Sequence, residues 1–367
     1  MQALTAEMDD ATLRSWLREE DPARVARLFA TADAVRAAAV GDAVHLRGLI
    51  ELSNACVRAC AYCGLSVHHR DLPRYRMTAE EVLDCARRAA ALGYGTVVLQ
   101  AGEDPALSGP LIADLIRAIK RETGLAITLS LGERSPADWR LWREAGADRY
   151  LLRFETSNPR LYARIHPPAR HDRPWDGQGE VPRVRMLREL QDLGYEAGTG
   201  IMVGIPGQTW DDLISDLRTF QRLDIEMIGV GPYIPHPETP LAHDFDGAAE
   251  HGQQVPNDLP TTLKVVALSR LLVPDANIPA TTAVATLDKA QGREDALRAG
   301  ANVVMPNLTP PQYRVLYEIY PEKACIHETA EQCHACLTAR IHSIGRRVGT
   351  GPGSAPKRRR HLLQESA

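Results

Sequence analysis

Short apolar runs alternate with amphipathic segments along most of this chain of 367 residues, and this alternation limits its fold more than any other feature. Predicted strands occupy residues 44–50, 96–100, 126–131, 149–154, 196–202, 227–231, 278–282 and 302–305. Predicted helices occupy residues 79–92, 110–122, 136–145, 181–193, 210–223, 261–273 and 288–299. Eight β-then-α units whose strands are apolar on both faces predict an α/β fold, a (βα)8 TIM-type barrel. An open, doubly wound sheet with fewer paired strands is the alternative.

The regions outside the predicted barrel differ in pattern and composition. Residues 1–43 have the pattern of two helices, which we expect to cap one end of a barrel that spans residues 44–320. A cysteine-rich C-terminal extension is predicted over residues 321–350. Residues 351–367 begin with a Gly/Pro/Ser stretch and continue into a basic run at 357–361, so we expect a disordered basic tail there.

Charge and cysteine content narrow the class of protein. The chain carries 43 Lys and Arg against 47 Asp and Glu, a net charge of −4 without an extended basic face, so no nucleic-acid partner is expected. It has no apolar run long enough to span a bilayer and no secretory pattern, so we expect no membrane contact and a cytoplasmic location. Seven cysteines, clustered mainly in two tight groups, favour metal ligation in a reducing compartment over disulfides.

The first cysteine group, Cys56, Cys60 and Cys63, follows the first predicted strand with the spacing Cys-x3-Cys-x2-Cys. Three thiolates can hold three irons of a four-iron cluster and leave the fourth iron open, and no fourth cysteine lies nearby. An iron with an open site can bind the amino and carboxylate groups of S-adenosylmethionine (SAM) and pass an electron into its sulfonium. The alternative is a zinc knuckle completed by His68 or His69.

Polar residues follow other predicted strands. Gly102 would let backbone approach a ligand closely, and the Glu103 carboxylate can bind an ammonium group, although a plain turn has the same composition. Arg153 and Glu155 lie on the same side of the fourth strand by period-two geometry, as a ligand site or as a structural ion pair. The glycine-rich stretch 198–209 offers backbone for a flat ring or for close strand–helix packing.

The cysteine spacing resembles that of the radical SAM superfamily, and several segments resemble one family within it, the HydE maturases of [FeFe]-hydrogenase. The similar segments are 75–78, 98–105, 128–133, 145–153, 231–237, 278–283 and 302–307. The resemblance covers the chain from about His45 to Cys336, and biotin synthase and the methylornithine synthase PylB use the same scaffold. Biotin synthase needs further cysteines inside the barrel, which this chain lacks, so sulfur insertion is not expected.

The resemblance implies roles for individual residues. Cys56, Cys60 and Cys63 would ligate a [4Fe-4S] cluster that binds SAM. The residues expected around SAM are Tyr62, Gly102, Glu103, Arg153, Glu155, Arg183, Met227 and Ile234. The residues expected to line the substrate cavity are Gln100, Thr128, Thr281, Thr282, Met305 and Tyr317. The chain departs from the family at Phe154, where relatives often have His, and in the longer segment 166–180.

The second cysteine group is Cys325, Cys333 and Cys336, with the spacing Cys-x7-Cys-x2-Cys. By resemblance it would hold a second Fe–S cluster at a peripheral site without a catalytic role. A Cys3His zinc site completed by His327 or His334 is the alternative.

The function implied by the resemblance is reductive cleavage of SAM to a 5′-deoxyadenosyl radical that acts on a small ligand inside the barrel. That ligand would be anionic and organometallic, an iron cysteinate carrying CO and cyanide, on the route to the hydrogenase diiron subcluster. An external one-electron reductant and other hydrogenase maturases are the implied partners. Two further hypotheses are an amino-acid mutase of the PylB type, against which the second cysteine group argues, and a non-catalytic Fe–S or zinc protein.

Overall fold

The strands of this protein form one parallel, strongly curled sheet. The computed structural model describes residues 8–169, 172, 175–243 and 252–357. The strands are β1 (Ala43–Ser53), β2 (Thr96–Ala101), β3 (Ala126–Ser130), β4 (Arg149–Leu151), β5 (Glu196–Val203), β6 (Met227–Pro232), β7 (Val303–Val304) and β8 (Arg347–Val348). The hydrogen-bonded order is β6-β5-β4-β3-β2-β1-β7, and β8 pairs with the start of β1.

The predicted strand at 278–282 is replaced by single bridges. Asn277 bridges to Met227 on β6, and Pro279 bridges to Val303 on β7, both in parallel orientation. Residues 277–279 therefore stand between the two ends of the sheet and complete the ring of strand positions. This arrangement confirms the prediction of a (βα)8 TIM-type barrel and leaves no support for the open sheet.

The helices follow the sequence pattern closely. They are α1 (Asp10–Leu17), α2 (Pro22–Val40), α3 (Ala79–Ala91), α4 (Gly109–Thr123), α5 (Pro136–Glu144), α6 (Pro159–Ile165), α7 (Pro182–Asp192), α8 (Trp210–Leu223), α9 (Leu259–Leu272), α10 (Thr282–Leu287), α11 (Gly292–Arg298), α12 (Pro311–Arg314) and α13 (Ala330–Ser343). Thr78 and Thr209 form the capping boxes that their sequences predict. Within the described residues, no helix is both long and apolar enough to cross a bilayer.

We expected the two N-terminal helices to cap one end of the barrel. In the structure they pack on its outer wall, against other helices. Helix α1 contacts α8 and α9, and α2 contacts α9 and α11. The Lys264 ammonium on α9 donates to the carbonyls of Leu17 (2.6 Å) and Glu19 (3.1 Å). This cover explains why α9 is apolar nearly all round, since a helix buried on every side needs no polar face.

The N-terminal end of the barrel is filled by the C-terminal segment instead. Arg47 donates to the carbonyl of Gly353 (3.1 Å), and Arg149 donates to that of Pro352 (2.9 Å). Arg149 also pairs with Glu196 at 2.9 Å, and both side chains are buried. Residues 351–357 are thus ordered, which contradicts the expected disordered tail, because buried charges at the strand starts need these carbonyls as partners. Residues 358–367 lie outside the described residues.

Removal of this segment should destabilise the protein. A chain that ends at Thr350 leaves the guanidinium groups of Arg47 and Arg149 buried without those carbonyls. We expect its free energy of unfolding to fall by about 2–4 kcal/mol relative to a chain that ends at Lys357, because a hydrogen bond to a charged group contributes about 1.5–3 kcal/mol. Urea unfolding monitored by circular dichroism measures the difference, and equal stability of the two chains would contradict the packing role of residues 352–355.

Candidate active site

The loop that carries the first three cysteines leaves β1 at the carboxyl end of the barrel and is held by hydrogen bonds to its own backbone. Arg74 donates to four carbonyls of the loop, at 2.7–3.1 Å, those of Asn54, Leu65, Ser66 and His69. The Asn54 amide in turn donates to the carbonyls of Pro73 (2.9 Å) and Leu316 (2.8 Å). A loop without regular structure is thereby fixed in one conformation.

The thiols of Cys56, Cys60 and Cys63 line one wall of a cavity of about 320 Å³ inside the barrel mouth. Burial raises the pKa of all three thiols, that of Cys60 to about 12. They therefore become thiolates only when a positively charged partner is bound. Iron supplies such a charge, so the donor set fits an Fe–S cluster.

A zinc knuckle at the same loop lacks support. The His68 imidazole nitrogen Nε2 lies 3.2 Å from the carbonyl of Ala59, and His69 Nδ1 lies 3.0 Å from that of Gly64. Among the residues that the structure describes, no three His, Cys, Asp or Glu side chains converge on a point that could hold one metal ion. A four-iron cluster does not require that convergence, because its cysteines bind separate irons.

The turn after β2 packs directly against the cysteine loop. A Cβ on Gly102 would lie 2.3 Å from the Ala55 carbonyl oxygen and 2.9 Å from Cys56 Cβ, so only glycine allows this approach. The backbone N–H of Glu103 points at Cys56 Sγ, 3.4 Å away. Burial raises the pKa of the Glu103 carboxyl, and Arg58, 3.6 Å away, acts in the opposite direction. The pair Gly102 and Glu103 thus lies beside the cysteines, as the sequence predicted.

Arg153 and Glu155 form an ion pair that also faces the cavity. The guanidinium Nε and Nη2 of Arg153 donate to the two carboxylate oxygens of Glu155 at 2.8 and 2.9 Å. Arg153 is further fixed by the carbonyls of Gly229 and Ile201. The backbone of Glu155 has φ of 65°, a left-handed conformation that is uncommon outside glycine and typical of functional sites. The ion-pair interpretation and the ligand-site interpretation are therefore compatible.

Most of the predicted site residues meet at this cavity. Those lining it are Tyr62, Gly102, Glu103, Arg153, Glu155, Arg183 and Ile234 from the expected SAM set, and Gln100, Thr281, Thr282, Met305 and Tyr317 from the expected substrate set. Their positions at or just beyond the carboxyl ends of different strands explain why they converge.

Met227 and Thr128 are not among the residues that line the cavity, and their assignments remain predictions. Met227 is the first residue of β6, and its sulfur accepts from Arg47 at 3.0 Å. Thr128 is the third residue of β3 and is buried. Through the strand register, Thr128 is level with Leu49 and Met227 is level with Leu151, and both leucines line the cavity, so the two positions lie at the depth of its inner end.

Several lining residues were missed by the sequence analysis. The Lys323 ammonium pairs with Glu51 Oε1 at 2.7 Å, and both side chains are buried. A glutamate within the apolar run of β1 was the available signal for this pair. Arg58 and Arg293 also line the cavity. The charged lining residues are the cations Arg58, Arg153, Arg183, Arg293 and Lys323 and the acids Glu51, Glu103 and Glu155. Glu133 pairs with both Arg58 and Arg183, and Asp172 pairs with Arg58, so acids balance the cations of the cavity wall.

His166 was also missed. Its ring is 3% exposed and lies between Cys60 and Arg183. Burial and the neighbouring cations Arg183 and Arg58 hold the pKa of His166 well below its usual value, so the imidazole is neutral. The residue begins the segment 166–180, whose unusual length was the one local signal.

The three residues of the second cysteine group lie in different surroundings. Cys325 and Cys333 line the same cavity as the first group, which corrects the expectation of a peripheral location for these two residues, whereas Cys336 is exposed. The Arg293 guanidinium lies 3.4 Å from Cys325 Sγ. His334, one of the residues considered for zinc, has Nδ1 3.2 Å from the Tyr94 hydroxyl.

These surroundings predict a pH dependence of alkylation in the metal-free protein. The hydrogen bond from the Cys333 thiol and the charge of Arg293 lower the pKa of Cys325. Because the thiolate is the nucleophile, alkylation of Cys325 by iodoacetamide should reach its plateau at a lower pH than that of an ordinary cysteine, while Cys60 stays unmodified at neutral pH. Peptide mass spectrometry measures both rates. Arg293→Gln should move the Cys325 profile to higher pH, and an unchanged profile would contradict this assignment.

Comparison with known proteins identifies the family. Residues 50–220 match the model of the radical SAM superfamily. The chain is 48% identical over 322 residues to the [FeFe] hydrogenase maturase subunit HydE of Thermotoga maritima, an alignment that covers 88% of this chain and 86% of that protein. It is 28% identical over 300 residues to the 3-methylornithine synthase of Methanosarcina acetivorans, covering 81% and 79% of the two chains.

Among solved structures, the crystal structure of methylornithine synthase (PylB) superposes with a TM-score of 0.76 at 26% identity and covers 93% of this chain and 94% of that one. The high identity to HydE extends over nearly the whole length of both chains, which is more than a shared barrel requires. This protein therefore belongs to the HydE family of radical SAM enzymes.

Proposed function

We propose that Cys56, Cys60 and Cys63 hold a [4Fe-4S] cluster and that the adjoining cavity takes SAM together with a small anionic substrate. When bound, the cluster supplies the electron that cleaves the SAM sulfonium to a 5′-deoxyadenosyl radical. The observation that carries the proposal is the convergence of the thiols of Cys56, Cys60 and Cys63 with Gly102, Glu103 and the Arg153–Glu155 pair around one cavity. Family membership supports the same chemistry.

The charged groups of the cavity suit the two ends of SAM. The Glu103 carboxylate offers an acceptor for an ammonium group, and pairing with that cation would offset the cost of burying the carboxylate. The guanidinium groups of Arg153 and Arg183 offer donors for a carboxylate. Arg153 is held rigidly by Glu155 and by two carbonyls, so its position does not depend on the ligand.

The location of the cavity inside the barrel mouth suits radical chemistry. A reactive carbon radical attacks any nearby group, so the walls must exclude water and hold the target at contact distance. Such positioning contributes about 7–11 kcal/mol in favourable cases. The hydroxyls of Thr281, Thr282 and Tyr317 supply donors without further charge, while the Lys323 charge is balanced by Glu51.

By membership of the HydE family, the proposed substrate is an iron cysteinate that carries CO and cyanide, and the proposed product is an intermediate of the [FeFe]-hydrogenase diiron subcluster. An external one-electron reductant and other hydrogenase maturases are the proposed partners. A cytoplasmic location is part of the same proposal, since free thiols of this kind persist in a reducing compartment.

A second Fe–S cluster at Cys325, Cys333 and Cys336 completes the proposal, with zinc as the alternative metal. Cys325 and Cys333 lie close enough for a hydrogen bond between their sulfurs, which is consistent with a shared ligand. We assign this site no role in catalysis.

Replacement of a proposed cluster ligand tests the site. After anaerobic reconstitution with iron and sulfide, and with dithionite and SAM, the unaltered protein should form 5′-deoxyadenosine and methionine. Cys60→Ala should lower this rate at least about 100-fold, because a radical SAM cluster needs all three thiolates. Cys85→Ala is the matched control, since Cys85 is buried in α3 and its thiol donates to the Leu308 carbonyl. Equal activity of Cys60→Ala and Cys85→Ala would contradict the proposal.

The substrate is tested separately from SAM cleavage. In a cell-free hydrogenase maturation mixture that lacks only HydE, addition of the reconstituted protein should restore hydrogen evolution, and Cys60→Ala should not. Incubation with lysine, SAM and dithionite tests the alternative, an amino-acid mutase of the PylB type, which the overlap of the two folds favours. Formation of 3-methylornithine without restored hydrogen evolution would replace the maturase proposal by the mutase.

A further inference from the structure

His166 joins the cysteine loop to the far wall of the cavity. Its Nδ1 lies 3.3 Å from Cys60 Sγ, and its Nε2 lies 3.2 Å from both Arg183 Nη1 and the Tyr62 hydroxyl oxygen. Sequence spacing places His166 and Cys60 more than a hundred residues apart, and no feature of the proposed function uses the imidazole.

The neighbours of His166 fix which nitrogen carries the proton. A guanidinium has five N–H donors and no acceptor, so Nε2 must accept the hydrogen bond from Arg183. Arg183 has little freedom to turn away, because its Nε donates to Glu133 Oε1 and its Nη1 to the Arg153 carbonyl, each at 2.8 Å. An imidazole nitrogen that accepts a hydrogen bond carries no proton, so the ring proton of His166 lies on Nδ1. The Nδ1–H group is therefore the one that faces the Cys60 sulfur.

The backbone holds the two residues together. The N–H of Ala61, next to Cys60, donates to the carbonyl of Ile165, next to His166, at 2.9 Å. The N–H of His166 donates to the Tyr162 carbonyl at 2.8 Å and ends helix α6. The rings of Tyr62 and Tyr162 pack against the imidazole with centroid distances of 5.3 and 4.9 Å. Backbone hydrogen bonds and ring contacts on both sides of the imidazole thus hold its Nδ1 next to the Cys60 sulfur.

We propose that His166 is a positioning residue that raises the reduction potential of the cluster by donating a hydrogen bond from Nδ1 to the sulfur of Cys60. The inference rests on the proposed function, in which Cys60 is a cluster ligand. A donor to a ligating sulfur stabilises the reduced, more negative cluster more than the oxidised one. His166 thereby brings the cluster within reach of the external reductant, while the buried site keeps the potential low.

Two substitutions separate the hydrogen bond from the size of the side chain. His166→Asn places an amide N–H at the position of Nδ1, and His166→Leu fills the space without a donor. In an EPR-monitored potentiometric titration of the reconstituted proteins, His166→Leu should have a lower midpoint potential than the unaltered protein, and His166→Asn should lie between the two or match the unaltered protein. Iron and sulfide content should be the same in all three.

The outcomes distinguish this inference from the function on which it depends. If none of the proteins binds a cluster, the proposed function fails. If all bind a cluster and cleave SAM but the midpoint potentials are equal, the role of His166 alone is overturned. The same holds if His166→Asn and His166→Leu shift the potential equally.

A second measurement does not need the cluster. In protein labelled with ¹⁵N at histidine and kept free of metal, the imidazole of His166 should show the chemical shifts of the Nδ1-protonated neutral tautomer. The assignment is obtained by comparison with the spectrum of His166→Asn, which should lack only these signals. A protonated Nε2 with a bare Nδ1 would overturn the inference even if His166→Leu failed to fold.

Discussion

The hydrogen bonds of Arg74 to the backbone of the cysteine loop are the interaction on which the site depends. A loop of this length without regular structure leaves carbonyls that need donors, and one guanidinium satisfies four of them. The loop then presents Cys56, Cys60 and Cys63 to the cavity. The close approach at Gly102 couples this loop to the end of β2, so the cysteines and the neighbouring carboxylate of Glu103 keep a constant relation.

Buried charge is managed differently at the two ends of the barrel. At the N-terminal end, Glu196 pairs with Arg149, and carbonyls of the C-terminal segment accept hydrogen bonds from Arg47 and Arg149, which makes that end a closed structural core. At the carboxyl end, guanidinium and carboxylate groups are also paired, but part of their surface faces a cavity. A charged ligand in the cavity can interact with groups that are already held in position. The barrel therefore has one end for stability and one for chemistry.

The inference about His166 concerns a residue that contacts Cys60 without lining the cavity. Arg183 belongs to the expected SAM set, and through the tautomer of His166 it also decides which group faces a sulfur. A residue that contacts a ligand on one side can in this way influence a thiolate on the other. Mutations of Arg183 should accordingly be interpreted with both effects in mind.

The sequence by itself determined what depends on local periodicity and spacing. The capping box at Thr209 and the apolar pattern after it predicted the helix Trp210–Leu223 to the residue, and the spacing of the first three cysteines predicted the metal chemistry. Only the tertiary structure decided which residues of each strand line the cavity, such as Glu51 on β1 and Gln100 on β2. It also decided contacts between distant segments, such as His166 with Cys60 and the insertion of residues 352–355. Side-chain periodicity identifies which faces of a strand are buried. It does not identify the distant segments that each end of the strand contacts, because those contacts form only when the sheet closes.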